Sequence, residues 1–169
     1  MNPVTSVQPI SAAFLAELDT EMPTTRRLLE RVPGDHASWK PHEKSFSLGH
    51  LAQLVARMPG WLTHTLRQTR LDLGGAPAYS LETTESLLAE FDRCVSEARA
   101  VLAETPDAEY HVPWSLTMGE RVLFTAPRLV VMRQNVNHLV HHRGQLTVYL
   151  RLLDVPLPSI YGPTADEHW

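Results

Sequence analysis

The chain has 169 residues, of which 43% are hydrophobic and 20% are charged, and its formal net charge is −4. These proportions are typical of a globular protein and exclude an intrinsically disordered chain, and the length suits a single domain over residues 1–169. An acidic chain without runs of Lys and Arg is not expected to bind nucleic acid. No apolar segment approaches the roughly 20 residues of a membrane-spanning helix, so no membrane association is expected. A single cysteine, Cys94, and the lack of a signal-peptide pattern predict a cytoplasmic protein.

Apolar residues recur at helical spacing in four segments that are separated by proline- and glycine-containing connections. The predicted helices cover roughly residues 11–31, 47–73, 80–105 and 125–153. Ser47 is expected to cap the second helix through its hydroxyl group. Pro23 is expected to kink or split the first helix and Pro59 to kink the second, because proline removes a helical hydrogen bond. With almost no strand pattern, the sequence predicts an all-α fold, a four-helix bundle.

The connection between the third and fourth helices, residues 106–124, is unusually long at about 20 residues. A tight turn between antiparallel helices needs far fewer residues, so we expect a crossover that runs along the bundle. A short hairpin around Gly119 is predicted within this crossover.

Nine histidines are a high number for this length, and the fourth helix arranges polar residues in an informative way. At about 100° per residue, one stripe of this helix contains Asn135, His138, His142, Gln145 and Tyr149. An apolar arc lies beside the stripe, so the stripe is expected to face inward. Burying such groups without partners costs on the order of 1–3 kcal/mol each, so they are expected to have partners, and one metal ion would satisfy several of them.

His138 and His142 are four residues apart, so both side chains can converge on one ion. Neutral imidazoles are good ligands for Zn²⁺, Ni²⁺, Cu²⁺ or Fe²⁺. Such a pair also occurs in purely structural or surface settings, and a third ligand must come from another helix. His50 is the best candidate, whereas His64 lies about 21 Å further along the same helix and cannot share its ion. His141 points outward and is the alternative ligand if the helical phase differs.

The remaining candidate residues are not expected to bind the metal. Cys94 is expected to be a small core residue. No carboxylate lies on the histidine stripe, so the sequence identifies no catalytic residue. Glu17 and Glu21 on the first helix are the alternatives for a general base, although both suit a solvated helix face. Four further histidines are expected to be solvent-exposed: His36, His42, His111 and His168.

Residues 138–167, HLVHHRGQLTVYLRLLDVPLPSIYGPTADE, resemble the C-terminal signature of the DinB (damage-inducible) family. Residues 40–49, KPHEKSFSLG, are similar to the same family's entry into its second helix. The resemblance covers nearly the whole chain and implies a DinB/YfiT-like four-helix bundle that binds a divalent metal through three histidines. Two of these would be His138 and His142. In many relatives the third ligand falls where this chain has Leu54, and His50, one turn earlier on the same face, is the residue predicted here.

Three further residues of the fourth helix are expected to support the metal site. Gln145 or Asn135 would orient an imidazole through its other nitrogen. Gly144 would allow the backbone of a neighbouring segment to approach closely.

The resemblance further implies a metal-dependent enzyme of the thiol S-transferase or hydrolase type, with Zn²⁺ favoured and Ni²⁺ as the alternative. Such a metal would activate a water molecule or a bound thiolate, so the expected partner is a small-molecule substrate or a low-molecular-weight thiol. A non-catalytic metal- or ligand-binding stress-response protein on the same scaffold is the main alternative, and an interaction module without metal is the third. Related bundles often pair, so a homodimer is also considered.

Overall fold

The computed structural model describes residues 8–75, 79 and 83–168. Over these residues the fold is dominated by four helices, as predicted. Helix α2 packs against α3 and α4, and α1 packs against α3. The helices are α1 (Ile10–Leu29), α2 (Leu48–Arg67), α3 (Thr84–Glu104) and α4 (Arg128–Leu152).

Local sequence signals explain where two of these helices begin. Ser47 caps α2 by accepting a hydrogen bond of 3.3 Å from the backbone N–H of His50, which confirms the predicted cap. Helix α3 begins with a capping box between Thr83 and Ser86, while the predicted start at residue 80 lies outside the described residues. Both α1 and α2 continue through their internal prolines at residues 23 and 59, so the first helix is not split.

The segments that connect the helices form a small β-sheet, so the predicted all-α class is only partly correct. Its strands are β1 (Arg70–Asp72), β2 (Pro113–Met118) and β3 (Arg121–Pro127). They lie in the order β1-β2-β3, with β1 parallel and β3 antiparallel to β2. The hairpin predicted around Gly119 is confirmed. Gly119 has a φ of +59°, a left-handed backbone conformation that glycine adopts more easily than other residues. The fold is therefore mostly helical with a three-stranded sheet.

The sheet also corrects two predicted helix ends. Helix α2 stops at Arg67 rather than near residue 73, because the chain turns into β1. Helix α4 starts at Arg128 rather than near residue 125, because residues 121–127 pair with β2.

The apolar faces of all four helices form the core. Leu28, Leu51, Leu102 and Leu146, one from each helix, have no accessible surface. Helix α2 approaches α3 closely at Gly60, where an added Cβ atom would lie 3.2 Å from the sulfur of Cys94, a free and buried cysteine. Among the described helices, none combines the length and the apolar composition that crossing a bilayer requires.

Helix α4 is joined to α1 through Arg143, whose side chain is almost completely buried. Its Nη2 lies 2.6 Å from Oε2 of Glu21, and its Nη1 donates a hydrogen bond of 3.0 Å to Thr25. Tyr161, from the segment after α4, accepts a hydrogen bond from Arg143 and donates one to Glu21, at 2.8 and 2.9 Å. The C-terminal segment therefore folds back over α1 and α4.

Candidate metal centre

His138 and His142 meet on one side of α4. Their Nε2 atoms are 2.8 Å apart, and their ring centroids are 4.6 Å apart. Side chains four residues apart on a helix lie above one another, so the helix itself brings the two rings together. His142 is buried, with 8% of its surface accessible, whereas His138 is exposed. The pair thus has one ring anchored in the protein and one ring open to its surroundings.

Gln145 holds the ring of His142 from the opposite side. Nδ1 of His142 lies 2.7 Å from Oε1 of Gln145. Because a carbonyl oxygen can only accept a hydrogen bond, Nδ1 carries the proton, and Nε2 keeps its lone pair directed at His138. Of the two residues expected to orient an imidazole, Gln145 therefore makes this contact, whereas Asn135 donates its hydrogen bond of 3.3 Å to Thr65.

Both imidazoles of the pair favour the neutral form. Burial lowers the pKa of His138, and the neighbouring His142 and His141 lower it further. Burial also lowers the pKa of His142; the hydrogen bond that His142 donates to Gln145 opposes this effect, and the nearby His141 adds to it. Neutral imidazole is the form that binds metal ions, so the pair is ready to act as ligands at neutral pH.

His50 lies beside the pair, between two aromatic rings. Its ring stacks on Phe46 and on Tyr79, at centroid distances of 4.2 and 4.4 Å. Burial lowers the pKa of His50, and the nearby His142 and Lys40 lower it further. Among the described residues, no group of three or more His, Cys, Asp or Glu side chains is arranged to hold a metal ion. Of the three predicted ligands, the structure thus brings together His138 and His142. Leu54, one helical turn after His50, is buried in the core.

The other residues singled out from the sequence lie elsewhere. His141 is exposed, with its ring centroid 5.0 Å from that of His142. Glu17 and Glu21 form ion pairs with arginines of α4. Gly144 faces open space, so the close backbone approach expected there does not occur. The four histidines expected to be solvent-exposed are exposed: His36, His42, His111 and His168.

A cavity of about 460 Å³ opens beside His138, bounded by α2, α4 and the sheet. The α2 side contributes Trp61, His64 and Thr65. The α4 side contributes Val131, Gln134, Asn135 and His138. The sheet side contributes Leu71, Leu73, Trp114, Leu116 and Phe124. Sequence reasoning missed this cavity, although the helical spacing of its α2 and α4 residues was a signal that each set shares one face.

Two crystal structures share this fold. A DinB-like protein from Bacillus cereus has a TM-score of 0.71 and 22% identity, with 91% of this chain and 99% of that chain covered. The DinB-like protein YjoA from Bacillus subtilis has a TM-score of 0.69 and 19% identity, with 88% of this chain and 97% of that chain covered. The architecture is therefore that of a DinB-like protein.

The sequence comparisons lead to the family itself. The sequence model of the DinB family matches residues 4–169. The chain therefore belongs to the DinB family, as its C-terminal motif indicates. It is also 27% identical over 161 residues to the uncharacterized protein YrdA of Bacillus subtilis, with 92% of this chain and 90% of YrdA covered.

Proposed function

We propose that this DinB protein binds a divalent metal ion through His138 and His142, and that it acts on a small molecule held in the adjacent cavity. Its four helices would form the bundle typical of the family, with the sheet-containing connection as the crossover. The observation that supports the proposal most strongly is the 2.8 Å approach of the two Nε2 atoms, with Nδ1 of His142 directed at Gln145.

The donor set suits such an ion. Zinc–imidazole bonds are about 2.0–2.1 Å long, so one ion can contact both converging nitrogens. Imidazoles favour Zn²⁺, with Ni²⁺ as the alternative. We propose His50 as the third ligand, because Phe46 lies against both its ring and that of His142, at centroid distances of 4.2 and 6.4 Å, and the Ser47 cap holds its backbone in the first turn of α2. Three nitrogen ligands would leave at least one position free for water or substrate, as in catalytic sites.

The surroundings of the pair favour an enzyme of the thiol S-transferase or hydrolase type. When bound, the ion would lower the pKa of a thiol or of water and so supply a nucleophile at neutral pH. His138 lines the cavity, so a substrate or a low-molecular-weight thiol in the cavity would lie next to the site. Gln145 keeps His142 oriented, and the aromatic walls of Trp61, Trp114 and Phe124 limit the access of water.

A non-catalytic metal- and ligand-binding protein is the second candidate. It is favoured by one observation: the residues described along the cavity include no Asp or Glu, so no carboxylate base stands beside His138. The two candidates differ in turnover. An enzyme would consume a thiol and an electrophilic aryl halide faster when zinc-loaded than when metal-free, and His138→Ala would abolish the difference. A binding protein would take up zinc without this difference in rate.

Metal binding itself is tested by titrating metal-free protein with Zn²⁺ in competition with a chromophoric chelator. We expect one site, with affinity at least tenfold weaker in His138→Ala and in His142→Ala. His141→Ala is the matched control, because this exposed histidine lies on the same helix turn, and it is expected to bind like the wild type. Weaker binding in His50→Ala would support a third ligand, whereas wild-type affinity would remove His50 from the set. Wild-type affinity in both pair variants would refute the metal site.

A further inference from the structure

The two walls of the cavity differ in chemistry. The helical wall presents neutral polar side chains together with apolar ones, whereas the sheet side presents apolar side chains throughout. No Lys, Arg, Asp or Glu is among the described residues that line the cavity. The polar residues of the helical wall are His64, Thr65, Gln134, Asn135 and His138.

The lining carries no charged side chain among the described residues, and burial lowers the pKa of His64, which favours its neutral form. A charged ligand would lose hydration on entering this cavity without gaining an opposite charge from the wall, which is unfavourable.

The size and the aromatic content of the cavity indicate what fits it. Its volume of about 460 Å³ lies within the range of about 300–1,000 Å³ that is usual for small-molecule sites. Trp114 and Phe124 are in tilted contact with a centroid distance of 6.1 Å, and Trp61 lies 5.5 Å from the ring of His138. Such rings favour offset or edge-on contact with another aromatic group.

The polar groups of the helical wall are not equally available to a ligand. Thr65 and Asn135 already bond to each other, and the Thr65 hydroxyl also donates to the carbonyl of Trp61 at 2.8 Å. The side chain of Gln134 is exposed and has no hydrogen-bond partner among the described residues. His138 is exposed as well, and it lies one helical turn from Gln134 on α4. Nδ1 of His64 on α2 and Nε1 of Trp114 on β2 are buried without a hydrogen-bond partner, whereas Nε2 of His138 already faces His142. On α4, the groups open to a ligand are therefore the Gln134 amide and the other ring nitrogen of His138.

We propose that the cavity binds an uncharged aromatic small molecule, with its apolar face on the sheet and one hydrogen-bonding group directed at Gln134 and His138. This inference deepens the proposed function, since it treats such a molecule as the substrate class of the same site. It predicts discrimination against anionic molecules of the same shape.

Two fluorescent probes with a common skeleton test the charge preference. N-phenyl-1-naphthylamine is uncharged, and 8-anilino-1-naphthalenesulfonate carries an added sulfonate. We expect one saturable site that binds the neutral probe at least tenfold more tightly than the anionic probe in metal-free protein, where no cation lies beside the cavity. Equal or tighter binding of the anionic probe would overturn the inference.

Cavity variants locate the probe. Leu73→Lys and Leu116→Lys place a cation in the lining, and both are expected to weaken the neutral probe at least tenfold and to strengthen the anionic one. Val122→Lys is the matched control, because Val122 lies on β3, is 57% exposed and does not line the cavity. Wild-type selectivity in Leu73→Lys and Leu116→Lys would overturn the inference. Because the Leu73 side chain is already 39% exposed, Leu73→Lys is expected to fold, and circular dichroism checks this.

A failure of the proposed ligand class can be distinguished from a failure of the proposed metal site, because probe binding and zinc binding are measured separately. If the wild type binds no zinc but still prefers the neutral probe, the metal proposal fails and the ligand class stands. If zinc binds and the preference is absent, the ligand class fails and the metal proposal stands.

Discussion

His142 has both ring nitrogens engaged, with Nδ1 at Gln145 and Nε2 at His138. The first contact selects the tautomer, and the two contacts together fix the rotation of the ring. A ligand that is oriented before the metal arrives loses less conformational freedom on binding, so Gln145 should influence metal affinity without touching the ion.

Replacing Gln145 by Leu is therefore expected to weaken zinc binding by roughly 10- to 100-fold, because outer partners of histidine ligands typically have effects of this size. Competition titration of metal-free protein measures the change. Gln134→Leu is the matched control, since this residue has the same chemistry, lies on the same helix and forms no hydrogen bond with either histidine of the pair in the described part of the chain. Equal affinities in the two variants would show that Gln145 does not orient the site.

The residues of this pair could be predicted because they are local. His138, His142 and Gln145 lie within two turns of one helix, and helical geometry alone places them on one face. The position of His50 depends on how α2 lies beside α4, which no spacing within a single helix determines. Arg143 was overlooked because a charged residue is ordinarily expected at the surface, and its burial depends on Glu21, more than 100 positions earlier in the chain.

At the scale of elements, α4 is tied to α1 by two ion pairs that differ in burial. Arg143 is 1% exposed at its side chain, and Glu21 is 11% exposed. Arg133 pairs with Glu17 at 2.6 Å, but 51% of its side chain is exposed. A buried charge without its partner is far more costly than an exposed one, because it cannot be rehydrated.

We expect Arg143→Met to lower the free energy of unfolding by about 3–5 kcal/mol, since it leaves the Glu21 carboxylate buried and unpaired. Arg133→Met, the matched exposed variant, is expected to cost about 1 kcal/mol or less. Urea or guanidinium unfolding measures both values. Equal losses would mean that the Glu21 carboxylate is hydrated or otherwise compensated in the fold.

The sheet shows where sequence patterns stop being informative at this scale. Strand β1 has three residues, and nearly all positions of β3 are exposed, so neither carries the alternation that identifies a half-buried strand. The hairpin was predictable because Gly119 separates two runs of β-favouring residues. The pairing of β1 with β2 connects segments about 45 residues apart and could not be anticipated.

At the scale of the whole molecule, the cavity exists because the sheet covers the exposed edge of α2 and α4. Each of these three elements contributes part of the lining, and His138 lies where the cavity and the histidine pair meet. The four helices follow from the helical pattern, and the family follows from the C-terminal motif. The cavity could not be predicted from the sequence, because it forms only where the sheet packs beside α2 and α4.

The most direct test of the account is the metal content of the untagged protein, measured by elemental analysis after growth with zinc and nickel supplied. We predict close to one equivalent of a divalent transition metal in the wild type and in His141→Ala, and a loss of most of it in His138→Ala and in His142→Ala. A wild type without metal, or the same metal content in all four proteins, would contradict the central claim that the two converging imidazoles form a metal site.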